Sequence, residues 1–271
     1  MRPPLVLVTG STDGIGRETA LELARRGALV IAHGRNPQKV AELTRELAAI
    51  SGPSQPEGVV FDLSDFEQLR RGAAALSQRL SHLDVLLHNA GIFDTEPSLD
   101  AAGLERTWKV NHLAPMLLTH GLLPTLRSQP GSRVVIVASV AHVRGQIRWE
   151  QIQGQSGYAA YAQSKLANIM FANGLSRRFA KQELGVFSLH PGVVGTKLLR
   201  AGFGMEGPDS LAQGAATSVH CALAPELTGQ SGLYFVRSRA TEPAPQATNP
   251  HDVERLWQLS CQQLGLATDW S

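Results

Sequence analysis

The stretch Leu5-Val6-Leu7-Val8-Thr9-Gly10-Ser11-Thr12-Asp13-Gly14-Ile15-Gly16 decides how the rest of the chain is read. Four consecutive apolar residues run into a glycine-rich turn, and a helical pattern follows through Arg26. Residues that are apolar at successive positions suit a strand buried on both faces, as in a parallel sheet covered by helices. Glycines let a backbone approach a pyrophosphate closely, and the start of the following helix offers free N–H groups and the positive end of a dipole. Such a turn alone could be an ordinary loop. Its place after a first strand and before a helix makes it a nucleotide site.

Working outward, apolar runs of strand length recur at Ala28–Ala32, Val59–Phe61, Val85–His88, Val134–Ala138, Val186–Leu189 and Leu233–Val236, alternating with helical stretches. That alternation predicts an α/β fold: a doubly wound parallel sheet of Rossmann type, about seven strands, flanked by helices on both faces. A length of 271 residues without repeats, low-complexity tracts or linkers reads as a single domain, 43% hydrophobic and 18% charged. Lys plus Arg is 25 against 23 for Asp plus Glu, a net +2, which argues against a nucleic-acid or membrane-surface binder. Cys221 and Cys261 are too few for a disulfide framework and lack zinc spacing, which suits a reducing compartment. No apolar run reaches the ~18 residues of a membrane span. The opening Met1-Arg2-Pro3-Pro4 leads into a run too short for a signal peptide, so a cytoplasmic protein is expected. No histidine pair has metal-ligand spacing with an acidic neighbour, and no metal is expected.

The second strand ends at Ala32-His33-Gly34-Arg35-Asn36. An NAD site would place a carboxylate here for the ribose 2′-hydroxyl. None is present from Ala28 to Asn36. Arg35, with Arg17 just past the glycines, suits a 2′-phosphate and hence NADP(H). The alternative is two solvated surface arginines. Further along, Tyr161-Ala162-Gln163-Ser164-Lys165 sets a phenol and an ammonium four residues apart on a helix. An ammonium near a phenol favours the phenolate, so the tyrosine's pKa is expected to fall from roughly 10 toward neutral. A tyrosine so tuned can exchange a proton with a carbonyl or alcohol oxygen.

The turn Thr9-Gly10 to Gly16 resembles the Thr-Gly-x-x-x-Gly-x-Gly of the short-chain dehydrogenase/reductase family, and the resemblance extends over nearly the whole chain with its motifs in order. It implies a nucleotide-binding part over about residues 1–138 and a catalytic and substrate-binding part over about 139–271. It makes Ser139, ending the run Arg133-Val134-Val135-Ile136-Val137-Ala138, the group that holds the substrate oxygen. Tyr161 becomes the proton exchanger, and Lys165 its tuner and a ligand of the nicotinamide ribose. The main-chain carbonyl of Asn111 becomes the holder of a water linking that lysine to solvent. Pro115 has no N–H to bond that carbonyl four residues back, so it should be free within a long helix.

For the cofactor, the resemblance implies contacts from Gly10, Ser11, Thr12, Asp13, Gly14, Ile15 and Gly16. Asp62, followed by Leu63, would meet the adenine amino group; otherwise Asp62 or Ser64 is only a cap. Asn89-Ala90-Gly91 stands for the family's Asn-Asn-Ala-Gly, with His88 replacing the first Asn. Pro191, Gly192, Val194 and Thr196 would cover the nicotinamide.

Ser-Val-Ala-His at 139–142, Tyr-Ala-Gln-Ser-Lys-Leu-Ala-Asn at 161–168, His-Pro-Gly-Val-Val at 190–194 and Leu256-Trp257 are most similar to the retinol-dehydrogenase-like branch. Many members of that branch have an amino-terminal membrane anchor, which is not expected here, and neither is a membrane-dissolved retinoid substrate.

The function expected is therefore an NADP(H)-dependent oxidoreductase acting on a small carbonyl or alcohol substrate, run as a carbonyl reductase. The competing class is a non-catalytic NADP(H)-binding regulatory protein on the same fold. Four further expectations concern structure. The loop Val140 to Gly157, carrying Trp149 and Glu150, should wall the substrate pocket, and Ser156 should cap the helix of Tyr161. Ala201 to Pro208 should form a mobile lid, and Val253 to Leu264 an apolar terminal helix. Apolar residues spread around two long helices (Met116, Leu117, Ile169, Met170, Phe171) point to a homodimer or homotetramer.

Overall fold

The computed structural model describes residues 2–52, 56–96 and 98–270. Strand β1 (Leu5–Val8) leads through α1 (Gly14–Arg25) to β2 (Leu29–Gly34), α2 (Pro37–Ser51) and β3 (Glu57–Val60). Next come α3 (Phe66–Arg79), β4 (Val85–His88), a single turn α4 (Arg106–Trp108), a π turn over Lys109–Leu113, and α5 (Ala114–Leu126). Then follow β5 (Ser132–Val137), α6 (Gly157–Ser176), β6 (Leu184–His190), α7 (Lys197–Phe203) and α8 (Leu211–Leu223). The chain closes with β7 (Leu233–Val236), β8 (Arg239–Ala240) and α9 (Pro250–Leu264).

The strands form one sheet in the order β3-β2-β1-β4-β5-β6-β7-β8. All pair in parallel except β8, which returns antiparallel along β7. Alternate residues of one strand enter opposite cores. Leu5 and Leu7 pack with residues of α3, α5, α6 and α9, while Val6 and Val8 pack with those of α1, α2 and α8. Each side chain buried this way contributes roughly 1.5–3 kcal/mol, which is why the central strands read as unbroken apolar runs.

The eighth strand exceeds the seven expected. It is two residues long and follows the turn Arg237-Ser238, both at positive φ (50° and 58°) without a glycine. Strand β3 lies at the sheet edge, alternately half-buried and exposed, and it begins at Glu57 rather than Val59. Phe61 leaves the ladder to pack its ring 4.1 Å from that of His33.

The helix expected to run unbroken through Pro115 is instead α4, the π turn and α5. The Ala114 N–H reaches Lys109 O, five residues back, and Pro115 sits in the first turn of α5, where a missing N–H is tolerated. Met116, Leu117, Ile169, Met170 and Phe171 are all buried within the single chain. Trp257 of α9 stacks on Phe171 at 6.0 Å and Trp270 lies 4.4 Å from Trp257, so the chain's own tail covers the apolar surface that pointed to a partner. That ground for a homo-oligomer is therefore absent.

Candidate active site

β1 has β2 on one side and β4 on the other, so the helical crossovers diverge there and open a crevice at the strands' C-terminal ends. The glycine turn fills its floor. Gly10 has φ 62°, and a Cβ on it would lie 2.9 Å from the Cα and Cβ of Ala90. A Cβ on Gly16 would lie 2.2 Å from Asn89 Nδ2 and 2.3 Å from Gly10 O. Both positions exclude any side chain. Asn89 ties the turn to the end of β4, donating from Nδ2 to Thr9 O (3.1 Å) and Gly10 O (3.2 Å). The N–H groups of Asn89 and Ala90 donate to Thr9 Oγ1 at 3.1 and 3.2 Å.

His33 supports the turn from below. The Gly10 N–H donates to its Nδ1 (3.1 Å), so the proton resides on Nε2, which donates to Phe61 O (3.1 Å). Burial lowers its pKa to about 4 and keeps the ring neutral.

Ser139 follows β5. Its Oγ accepts from the Ala141 N–H at 3.2 Å and caps the 3₁₀ turn Val140–Arg144. His142 holds that turn in place, with Nδ1 donating to Ser139 O (2.7 Å) and Nε2 accepting from the Ala244 N–H (3.1 Å). On α6, Tyr161 and Lys165 stand one turn apart and both are buried. Burial pushes the phenol of Tyr161 up to about 12, against the downward pull of a hydrogen bond with Ser139. Burial brings the ammonium of Lys165 down to about 8. Its Nζ donates to Val137 O at 3.0 Å and lies 5.6 Å from the centroid of the tyrosine ring. The direction is opposite to the expected fall toward neutral: loss of water outweighs the hydrogen bond from Ser139.

Asn111, in the π turn, spends its side chain on structure. Oδ1 accepts from the Ile92 N–H (2.8 Å), and Nδ2 donates to Ile92 O (2.9 Å) and Ser164 Oγ (3.0 Å). It clamps the segment after β4 onto α6. Gly91 passes between, and a Cβ there would stand 3.3 Å from Lys165 Nζ. One cavity of about 890 Å³ is lined both by the glycine turn and by Ser139, Tyr161 and Lys165.

A family model for short chain dehydrogenase matches residues 4–206. The chain belongs to the short-chain dehydrogenase family. Within it the protein falls in the retinol-dehydrogenase-like branch. It is 39% identical to retinol dehydrogenase 12 of Bos taurus over 97% of this chain and 86% of that one. A solved structure from Mycobacterium Paratuberculosis superposes with a TM-score of 0.81 at 31% identity, covering 98% of this chain and 95% of that chain. A short chain dehydrogenase from Escherichia coli CFT073 complexed with NADPH superposes with a TM-score of 0.73 at 28% identity, covering 88% of this chain and 98% of its own.

Most of the residues expected in the site of this dehydrogenase line the one cavity. From the nucleotide half these are Gly10, Thr12, Asp13, Gly14, Ile15, Gly16, Arg35, Asp62, Leu63, Asn89, Ala90 and Gly91. Pro191, Gly192, Val194 and Thr196 close it from the other side. Three do not line it. Ser11 is buried, its Oγ accepting from the His33 N–H at 2.9 Å and donating to His33 O at 3.2 Å. Arg17 pairs with Glu46 on α2. Asn111 lies behind the cavity wall. Asp62 Oδ1 accepts from the N–H and hydroxyl of Ser64 at 2.8 and 2.7 Å, while the cap of α3 is Asp65, the residue after Ser64.

Trp149 does not wall the cavity either. It lies under the guanidinium of Arg255, 4.3 Å from its ring centroid. Ser156 occupies the N-cap position of α6, but its side chain makes no capping bond. Two residues at the heart of the site carry no signal in the sequence. Phe93 and Phe203 set their rings 5.4 and 5.6 Å from Tyr161 and 4.9 Å from each other. Phe203 ends α7, inside the segment expected to be a lid, and only the fold brings it over the phenol.

Proposed function

We propose that this dehydrogenase reduces an aldehyde or ketone to the alcohol with NADPH. The observation that carries the reading is the opening of Ser139, Tyr161 and Lys165 into the same cavity as the glycine turn. The backbone of that turn forms a cradle that any Cβ at Gly10 or Gly16 would fill, which suits a closely seated pyrophosphate. Arg35 at the cavity edge, with no carboxylate at the end of β2, supports a 2′-phosphate. NADPH, when bound, supplies a hydride from its nicotinamide.

The chain's own residues do the rest. The Ser139 hydroxyl orients the substrate oxygen, and Tyr161 gives that oxygen its proton as the carbon gains the hydride. A phenol raised to about 12 keeps its proton at neutral pH, which is the state a general acid needs and favours the reductive direction. Lys165 holds positive charge behind it, and the Asn111 segment connects the lysine to a route for proton refilling. Among the described residues no helix is long and apolar enough to cross a membrane.

The test is a panel of aldehydes, ketones and alcohols with both nicotinamide cofactors, followed by NADPH absorbance. NADPH-dependent loss of signal with at least one carbonyl is expected. Tight NADPH binding with no turnover across the panel would favour a regulatory nucleotide-binding protein instead.

A further inference from the structure

The cavity carries more positive charge than the proposed reduction uses, and nearly all of it is matched. Arg35 lies 4.0 Å from Asp62, Arg106 Nη1 sits 3.1 Å from both carboxylate oxygens of Asp94, and Lys197 pairs with Asp13 at 2.5 Å. Lys165 donates to Val137 O. Among the described residues, Arg144 is the one arginine or lysine lining the cavity with neither a carboxylate nor a hydrogen-bond acceptor for its side chain.

Its position is tied to the chemistry. Arg144 ends the 3₁₀ turn that Ser139 caps, so the two belong to one short rigid segment. At about 2 Å of rise per residue the five-residue separation spans roughly 10 Å. Both ends of the segment are anchored, by His142 on Ser139 O and by Gln246 Nε2 donating to Gly145 O at 2.8 Å.

The surface around it is apolar. Val140 and Val143 on the same turn are 53% and 57% exposed, Tyr158 is 39% and Met205 53%, and all four line the cavity. Single exposed hydrophobics are ordinary, but several around one mouth mark a binding surface. A ligand meeting this mouth therefore finds a polar catalytic end, an apolar middle and one unmatched guanidinium.

We propose that Arg144 binds a carboxylate carried at the far end of an apolar carbonyl substrate, so that medium-chain oxo acids are the preferred substrate class. The inference rests on the reductase reading for its reactive end. In the reaction the carbonyl carbon gains a hydride from NADPH, its oxygen gains the proton of Tyr161, and the carboxylate is unchanged. A single planar guanidinium matches one carboxylate in a two-pronged contact.

Binding and turnover are tested separately. Decanoate and decanamide, which do not react, are titrated calorimetrically into the full-length protein with NADPH present. Decanoate is expected to bind about two- to fivefold more tightly at low salt. That ratio should shrink with added salt and fall to near one in Arg144→Gln. Equal affinities in the wild type, a salt-insensitive preference, or a preference that survives Arg144→Gln would overturn the proposal. In the turnover assay with NADPH, the ω-oxo acid of the same length should exceed decanal in kcat/KM by a similar factor; decanal used as well as the acid counts against Arg144. No turnover of either would defeat the reductase reading, and the decanoate titration would still decide the role of Arg144.

Discussion

A phenol at about 12 and an ammonium at about 8, one helical turn apart, set the pH behaviour of the site. Reduction needs the tyrosine protonated, which it is throughout the neutral range. The charge of Lys165 is present below about 8 and is lost as pH rises past that value. The kcat of carbonyl reduction is therefore expected to be level on the neutral side and to decline above about pH 8, in a profile of initial rates under saturating NADPH. A rate unchanged to well above pH 9 would remove Lys165 from the reaction. Tyr161→Phe keeps the ring's contacts with Phe93 and Phe203 but removes the proton. Its kcat should drop ~10²–10⁴-fold, with NADPH binding retained in a fluorescence titration. A near-normal rate in that variant would overturn the assignment.

At the scale of elements, the end of β2 separates two cofactors. Arg35 is 68% exposed, so its contact with a phosphate is partly screened. Arg35→Ala is expected to weaken NADPH about tenfold and to leave NADH almost unchanged, measured as two dissociation constants at low salt. Equal weakening of both would move the discrimination elsewhere. The parallel strands at the sheet's centre were legible because both faces are buried and apolar residues predominate on each. β3 was legible only in part: as an edge strand it pairs through Glu57 and Gly58, which carry no apolar signal. β8 was hidden because its turn uses Arg237 and Ser238 where glycine or asparagine would announce a hairpin. Tyr161 and Lys165 could be found by spacing, and Ser139 only through the family resemblance. Phe93, Phe203 and His33 could not, since their roles arise from contacts between segments distant in the chain. Spacing also does not reveal that Arg17 pairs with Glu46 on a neighbouring helix.

Across the whole molecule, four histidines are folded in as neutral rings. Burial holds His33 and His190 near 4 and His88 and His112 near 3, against 6.5 for the free side chain. The unfolded chain takes up these protons from about pH 6.5 downward while the folded one does not. Stability is therefore fully present above 6.5 and is lost as pH falls toward 4, at on the order of 1 kcal/mol per histidine per pH unit. Thermal melts should show Tm falling progressively between pH 6.5 and 4.5; a flat Tm over that window would contradict the neutral burial.

The shared cavity has a kinetic consequence as well. Glycine turn and Tyr161 open into one space, so the nucleotide forms part of the floor on which the second reactant must lie. Both have to be aboard before either product departs. Double-reciprocal plots at several fixed NADPH concentrations should intersect, not run parallel, and oxidised cofactor should compete with NADPH while the alcohol does not. Parallel lines would mean that the two reactants visit the protein in turn.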